Sequence, residues 1–266
     1  MSSQPPPFVP IAQPEHVYEP PKLGFGARVM NVFFSPSETF ADINRAAKPF
    51  LPLIVVALVV MFGGFAVALR LHPDGAAIAR QKIEEALARQ GKTMDDIPEQ
   101  QRGFMEKQIE WSGKFSKFGP IFSGVGEIVL LVFLTLLFWI GSLLLQCKTT
   151  FGKILSVLAF SDIAVKLVNK VLDFVGTFIR PAGDIDITEG VIITNLGPLV
   201  SVQTNPVVHI LLKQFDVFTI WFLILATIGI AAVSRKKTSS QTAVITFGLF
   251  GLFLLFRVGW AALTKS

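Results

Sequence analysis

Four charged side chains sit in SDIAVKLVNKVLDF, Ser161 to Phe174, a stretch that is otherwise apolar. At 100° per residue, Asp162, Lys166, Asn169, Lys170 and Asp173 fall on one stripe of a helix, while Leu158, Phe160, Ile163, Leu167, Val168 and Phe174 cover the rest. Further ionisable groups interrupt apolar runs at Glu127, Asp216 and Arg257. A charge in an apolar medium is costly and needs a partner, so these are the residues from which chemistry, or a polar tie between helices, is expected. Opposite signs at 162/166 and 170/173 are spaced to neutralise each other along one stripe. Two uses fit this pattern. One is a satisfied network inside a helical bundle, with Arg257 meeting one of the carboxylates. The other is a wet path or headgroup site, as a channel, transporter or lipid-handling protein would need.

Other chemistry has little support. There is no GxSxG, HExxH, GxxxxGKS/T or GxGxxG in a strand-to-helix setting. The carboxylate pairs Asp95-Asp96, Asp184/Asp186 and Glu84-Glu85 lie in polar loops or on a helix exterior. A membrane enzyme would instead need a pocket that gathers Glu127, Asp162 and a bound lipid. With one cysteine, Cys147, and three scattered histidines, His16, His72 and His209, no metal-ligand spacing or Cys/His nucleophile pair exists. No catalytic residue, cofactor or metal is expected. Cys147 is most simply a small apolar residue. The net charge of +5 is spread thinly, without a basic block interleaved with aromatics, so nucleic acid is not an expected partner.

The elements that hold these charges are membrane helices. The chain of 266 residues is 52% hydrophobic and only 16% charged, with 25 Phe and a mean hydropathy of +0.59. Four runs reach the roughly 20 apolar residues that a bilayer of about 30 Å requires: 50–69, 121–146, 215–234 and 242–263. The charged stretch, inside 151–179, is a fifth. It spans if its stripe faces protein or water; a helix lying in the interface is the rival reading. Basic residues decide between them. Lys148 and Lys153 follow the 121–146 run, and Arg235, Lys236 and Lys237 follow the 215–234 run, so both loops face the cytoplasm only if the charged stretch between them crosses.

The expected fold class is therefore all-α, a polytopic bundle of five transmembrane helices with the N-terminus cytoplasmic and the C-terminus outside. Residues 1–22 read as a disordered Pro-rich tail without a cleavable signal peptide. Residues 23–48 read as interfacial helices, with a second start at Ser35-Pro36. Residues 49–265 form the membrane domain, with an extracytoplasmic insert at 70–119. In that insert Asp74 is placed to cap one helix and Pro98 to open another, which predicts a helical hairpin. The broken stretch before Leu212 suits a re-entrant or surface-lying helix. Gly248, Gly251 and Gly259 cluster on one side of the last helix, which would let another helix approach.

NVFFSPSETFADI ahead of the first run, TTFGKILSVLAFSDI entering the charged stretch, and QFDVFTIWFLILATIGIAAVSRKKTSSQTAVITFGLF across the 215–234 and 242–263 runs resemble the Yip1 domain family of five-span membrane proteins, in its bacterial branch. The matching residues are Ser35 and Pro36 followed by Thr39-Phe40, then Asp216, Phe218 and Trp221, and Ile-Gly-Ile before a short basic loop. The resemblance runs from about Asn31 to Ala262. It implies a cytoplasmic N-terminus and a non-enzymatic scaffold or adaptor role in membrane organisation or trafficking. The implied location is a bacterial cytoplasmic membrane, or the endoplasmic reticulum and Golgi for a eukaryotic chain. Membrane lipids and either a membrane-protein partner or a second copy are the expected company. Eukaryotic relatives engage Rab-type GTPases, but their Asp-Leu-Tyr-Gly-Pro motif is missing here, so GTPase binding is not carried over.

Overall fold

The computed structural model describes residues 20–72, 74–88, 91–181, 185, 190–201, 205–234 and 238–263. The tail up to residue 19, Asp184, Asp186, Arg235, Lys236 and Lys237 lie outside the described residues. Among those described the regular structure is helical. It runs α1 (Phe25–Phe34), α2 (Pro36–Arg45), α3 (Phe50–Leu71), α4 (Gly75–Ala88), α5 (Glu99–Phe115), α6 (Gly119–Leu144), α7 (Phe151–Ile179), α8 (Pro206–Lys213), α9 (Val217–Val233) and α10 (Ser239–Leu263).

Helix ends follow local chemistry. Pro36 opens α2 and Pro120 opens α6, at positions where a missing N–H costs nothing. Asp74 Oδ1 accepts from the N–H groups of Ala76 and Ala77, capping α4. Asn205 Oδ1 accepts from Val208 N at 3.2 Å and starts α8, a short helix before α9. Helix α3 stops at His72, whose φ of 46° is left-handed. Helices α4 and α5 pack on each other as a hairpin.

Three helical stretches are long and apolar enough to cross a membrane by length and composition: 50–71, the apolar part of 99–144, and 239–260. Helix α9 is apolar but only 17 residues long, and α7 has 29 residues but carries the four charges. Helix α7 is the axis of the bundle, packed by α1, α2, α3, α6 and α9. Every residue from Ile154 to Val165 is buried. Outward faces of α3, α6 and α10 stay apolar and exposed, as at Phe62, Val129, Phe133, Leu252 and Phe256. An apolar surface of that extent is what lipid covers.

The two N-terminal helices are part of this core. Val32, Phe40 and Ile43 are fully buried in it, although Met30 and Phe34 point outward. Phe40 lies in the groove between α7 and α9. A Cβ placed on Gly229 of α9 would sit 2.2 Å from Val157 Cγ1 and 3.2 Å from the Phe40 ring, so only glycine lets the three helices meet there. Nothing lies within 4 Å of a Cβ built on Gly248, Gly251 or Gly259, so they admit no helix of this chain.

Candidate functional site

Asp162, Lys166 and Asn169 of the α7 stripe face α6, α9 and α10. Lys166 Nζ donates to Glu127 Oε2 of α6 at 2.9 Å, with the Glu127 side chain only 11% exposed. The expected tie between Asp162 and Lys166 is thus replaced by one between helices, although Asp162 and Glu127 both act electrostatically on Lys166. Lys170 Nζ donates to Asp173 Oδ2 at 2.9 Å, as the spacing anticipates. The Lys170 stem lies against Gly63 of α3, where an added Cβ would come within 2.7 Å of it.

Asp216 is the N-cap of α9. Its Oδ1 accepts from Phe218 N at 2.8 Å and Thr219 N at 3.2 Å, and the Thr194 hydroxyl donates to Oδ2. A carboxylate at that position satisfies otherwise free N–H groups and complements the helix dipole. Asp162 is nearly fully buried, and its Oδ2 has no hydrogen-bond partner among the described residues. Arg257 stands apart. It lies on the exposed side of α10, and no ion pair among the described residues includes it, so the structure does not bring it to a carboxylate.

A cavity of about 520 Å³ lies between α6, α7, α9 and α10. Glu127, Asp162, Lys166, Asn169 and Asp216 line its polar side, and Leu130, Phe222 and Phe253 are among its apolar walls. One concavity therefore gathers five of the eight charged or polar residues singled out in the sequence, the Glu127 and Asp162 pair that a membrane enzyme would use among them, together with Phe218 of the family motif. Lys170, Asp173 and Arg257 do not line it.

A second polar cluster was not legible beforehand. Asp42 of α2 receives Arg28 Nε at 2.9 Å, Lys22 N at 2.6 Å and Leu23 N at 3.3 Å, and Arg28 also donates to Ala46 O at 3.1 Å. Arg28 and Asp42 are 5% and 1% exposed, so this pair is sealed inside the protein. Burial pushes the Asp42 carboxyl up, but the Lys22 N–H, the Arg28 guanidinium and the Leu23 N–H together outweigh it and hold the group below its ordinary 3.8. Lys153 Nζ adds a link from α7 to Asn44 Oδ1 at 2.6 Å. Between α9 and α10, Thr227 and Thr246 hydroxyls meet at 2.6 Å and Thr242 donates to Thr227 O at 3.0 Å. The available signal was a base inside FGARVM, the one charge of the apolar α1, and an acid inside ADINR, on a polar helix that also carries Glu38 and Arg45.

Of the residues that carry the resemblance, Asp216 and Phe218 line the cavity, and others pack the bundle. The Ser35 carbonyl accepts from Thr39 N at 3.1 Å at the α1–α2 break, Phe40 fills the α7–α9 groove, and Trp221 meets Phe33 with ring centroids 6.0 Å apart. Cys147 is buried, as a small apolar residue would be.

Long apolar helices with lipid-facing flanks and charges turned inward define an integral membrane protein. Among such proteins the chain belongs to the Yip1 domain family, whose model matches residues 30–261. It is similar to a protein of Bacillus subtilis (strain 168) described as "Membrane protein YknW". The two are 26% identical over 234 residues, covering 86% of this chain and 88% of that one. No solved structure matches.

Proposed function

We propose that the protein is a non-enzymatic scaffold of the bacterial cytoplasmic membrane with five spans, α3, α6, α7, α9 and α10. The observation that carries this reading is the use made of the charges. Lys166–Glu127 bolts α7 to α6, Lys170–Asp173 closes on α7 itself, and Asp216 caps α9. A conduction path needs groups free to exchange partners along a wet line. Here three of the acids are occupied by the bundle. In lipid, apolar contact between helices has no hydrophobic advantage over contact with acyl chains, so packing and polar ties must hold the bundle together.

In this reading α7 crosses because its stripe faces protein, and α9, roughly 25 Å long, crosses beside it. Helices α1 and α2 lie on the cytoplasmic side, and the α4–α5 hairpin lies outside. Surface for a membrane-protein partner or a second copy comes from the cytoplasmic connections and the lipid-facing flanks. GTPase binding is not part of the proposal.

Two measurements test it. With Cys147→Ala as background, an impermeant thiol reagent should label Lys92→Cys in intact cells, and Lys148→Cys and Thr238→Cys only after permeabilisation. Labelling of Lys92→Cys and Lys148→Cys from the same side would overturn the topology. Mild-detergent purification from native membranes should retain a stoichiometric protein partner or a second copy. A lone monomer at every concentration would contradict the scaffold role.

A further inference from the structure

Lys166 and Glu127 both act electrostatically on Asp162, yet one of its two carboxylate oxygens keeps no hydrogen-bond donor among the described residues. Asp162 is 5% exposed, its Oδ2 is unpartnered, and it lines the cavity between α6, α7, α9 and α10. A buried carboxylate oxygen with no donor forfeits a hydrogen bond, and the apolar surroundings make that loss large. The cavity around it is also short of positive charge. Glu127, Asp162 and Asp216 face a single cation, Lys166, which Glu127 already engages. Its volume of about 520 Å³ falls within the range of sites that hold small molecules. The walls away from the charges are leucine and phenylalanine.

We propose that this cavity binds an amphiphile whose primary ammonium donates to Asp162 Oδ2 while its apolar chain lies along Leu130, Leu134, Phe222, Leu249 and Phe253. The ammonium supplies both what the carboxylate lacks, a donor, and what the cavity lacks, a positive charge. A quaternary ammonium supplies the charge without the N–H, and an anionic head is repelled by the three carboxylates. The chemistry is shared by an aminophospholipid of the bilayer and by a free long-chain amine. The site is independent of the scaffold reading, since a scaffold with or without a partner can hold a ligand there.

Native mass spectrometry of the full chain in mild detergent tests it, with phosphatidylethanolamine, phosphatidylcholine and phosphatidylglycerol of identical acyl chains and with dodecylamine as probes. The expected result is an ammonium-bearing adduct at least about tenfold more abundant than the phosphatidylcholine adduct, as a charge-assisted hydrogen bond implies. Asp162→Asn should remove that preference. Leu130→Trp, which fills the cavity from its apolar side without touching the carboxylate, should lower occupancy by all probes. Phosphatidylethanolamine retention makes the bilayer the source, and retention of dodecylamine alone makes it a free amine. Equal retention of phosphatidylethanolamine and phosphatidylcholine with no preference for dodecylamine would overturn the proposal, as would a preference that survives Asp162→Asn in a folded protein.

Discussion

The two halves of α7 are one continuous helix in different surroundings. From Ile154 to Val165 it is buried on every side by α1, α2, α3 and α9, and its environment is nearly all apolar until Asp162. From Lys166 to Ile179 it is half uncovered, with Leu167, Val171, Phe174 and Phe178 exposed and its charges on the remaining stripe. The first half is fixed by shape. Val157, Phe40 and Gly229 leave no spare space, and the Arg28–Asp42 pair clamps α1 to α2 beside them. The second half is tied by charge to α6 through Lys166–Glu127, with Lys170–Asp173 neutralised within α7 itself, next to a cavity. In lipid an apolar helix face is covered equally well by acyl chains or by neighbouring helices, and around the first half helices cover every side. The short helices ahead of the first apolar run are among those neighbours.

The largest effect is expected in the tightly packed half. Asp42→Ala leaves Arg28 buried without its carboxylate and should cost roughly 3 kcal/mol in reversible unfolding from detergent micelles. The acid limb of the pH–stability curve should show the same group. The Asp42 pKa is lower folded than unfolded, so its contribution is fully present above the unfolded value near 3.8 and is lost as pH falls through the lower folded value. The Asp42→Ala protein should lose that part of the acid dependence. Next comes Gly229→Val, which forces atoms into the Val157 and Phe40 positions and should cost about 1–3 kcal/mol, with faster proteolysis of α1–α2 as its readout. If proteolysis of α1–α2 were unchanged, the shape-fixed half would not depend on that groove.

In the charge-fixed half, Lys166→Met should cost about 1 kcal/mol, the scale of polar links between membrane helices, without changing ion flux in proteoliposomes. Loss of flux with unchanged stability would reverse the assignment. The smallest effect is expected for Gly248→Leu. Its Cβ would meet nothing, so monomer stability should stay within about 0.5 kcal/mol of the parent.

Sequence periodicity carried the elements well because apolar runs and proline starts are local signals. The start of α2 at Pro36, the 151–179 helix and the Asp74 cap were all readable from neighbouring residues. The helix expected before Leu212 forms at Pro206–Lys213. The stripe on α7 was legible for the same reason, including the 170/173 pair. Partner choice between helices was not. Lys166 prefers Glu127 to Asp162, and Arg257 points away, because these outcomes depend on helix rotation and not on spacing within one segment. The Arg28–Asp42 clamp was hidden for a related reason. Arg28 on α1 and Asp42 on the charged α2 look solvent-facing until the two short helices pack on each other and against α7 and α9. The glycines of α10 permit a helix approach without naming the neighbour, and within this chain nothing takes that place.

The central claim is that charges inside the spans tie helices together, and a double-mutant cycle on Glu127 and Lys166 tests it most directly. Glu127→Gln, Lys166→Met and the double variant would be compared by equilibrium unfolding in the same detergent. The account predicts that each single change destabilises and that the double change costs less than their sum, with a coupling of about 1 kcal/mol. Two single changes that leave stability untouched, with no coupling between them, would contradict it.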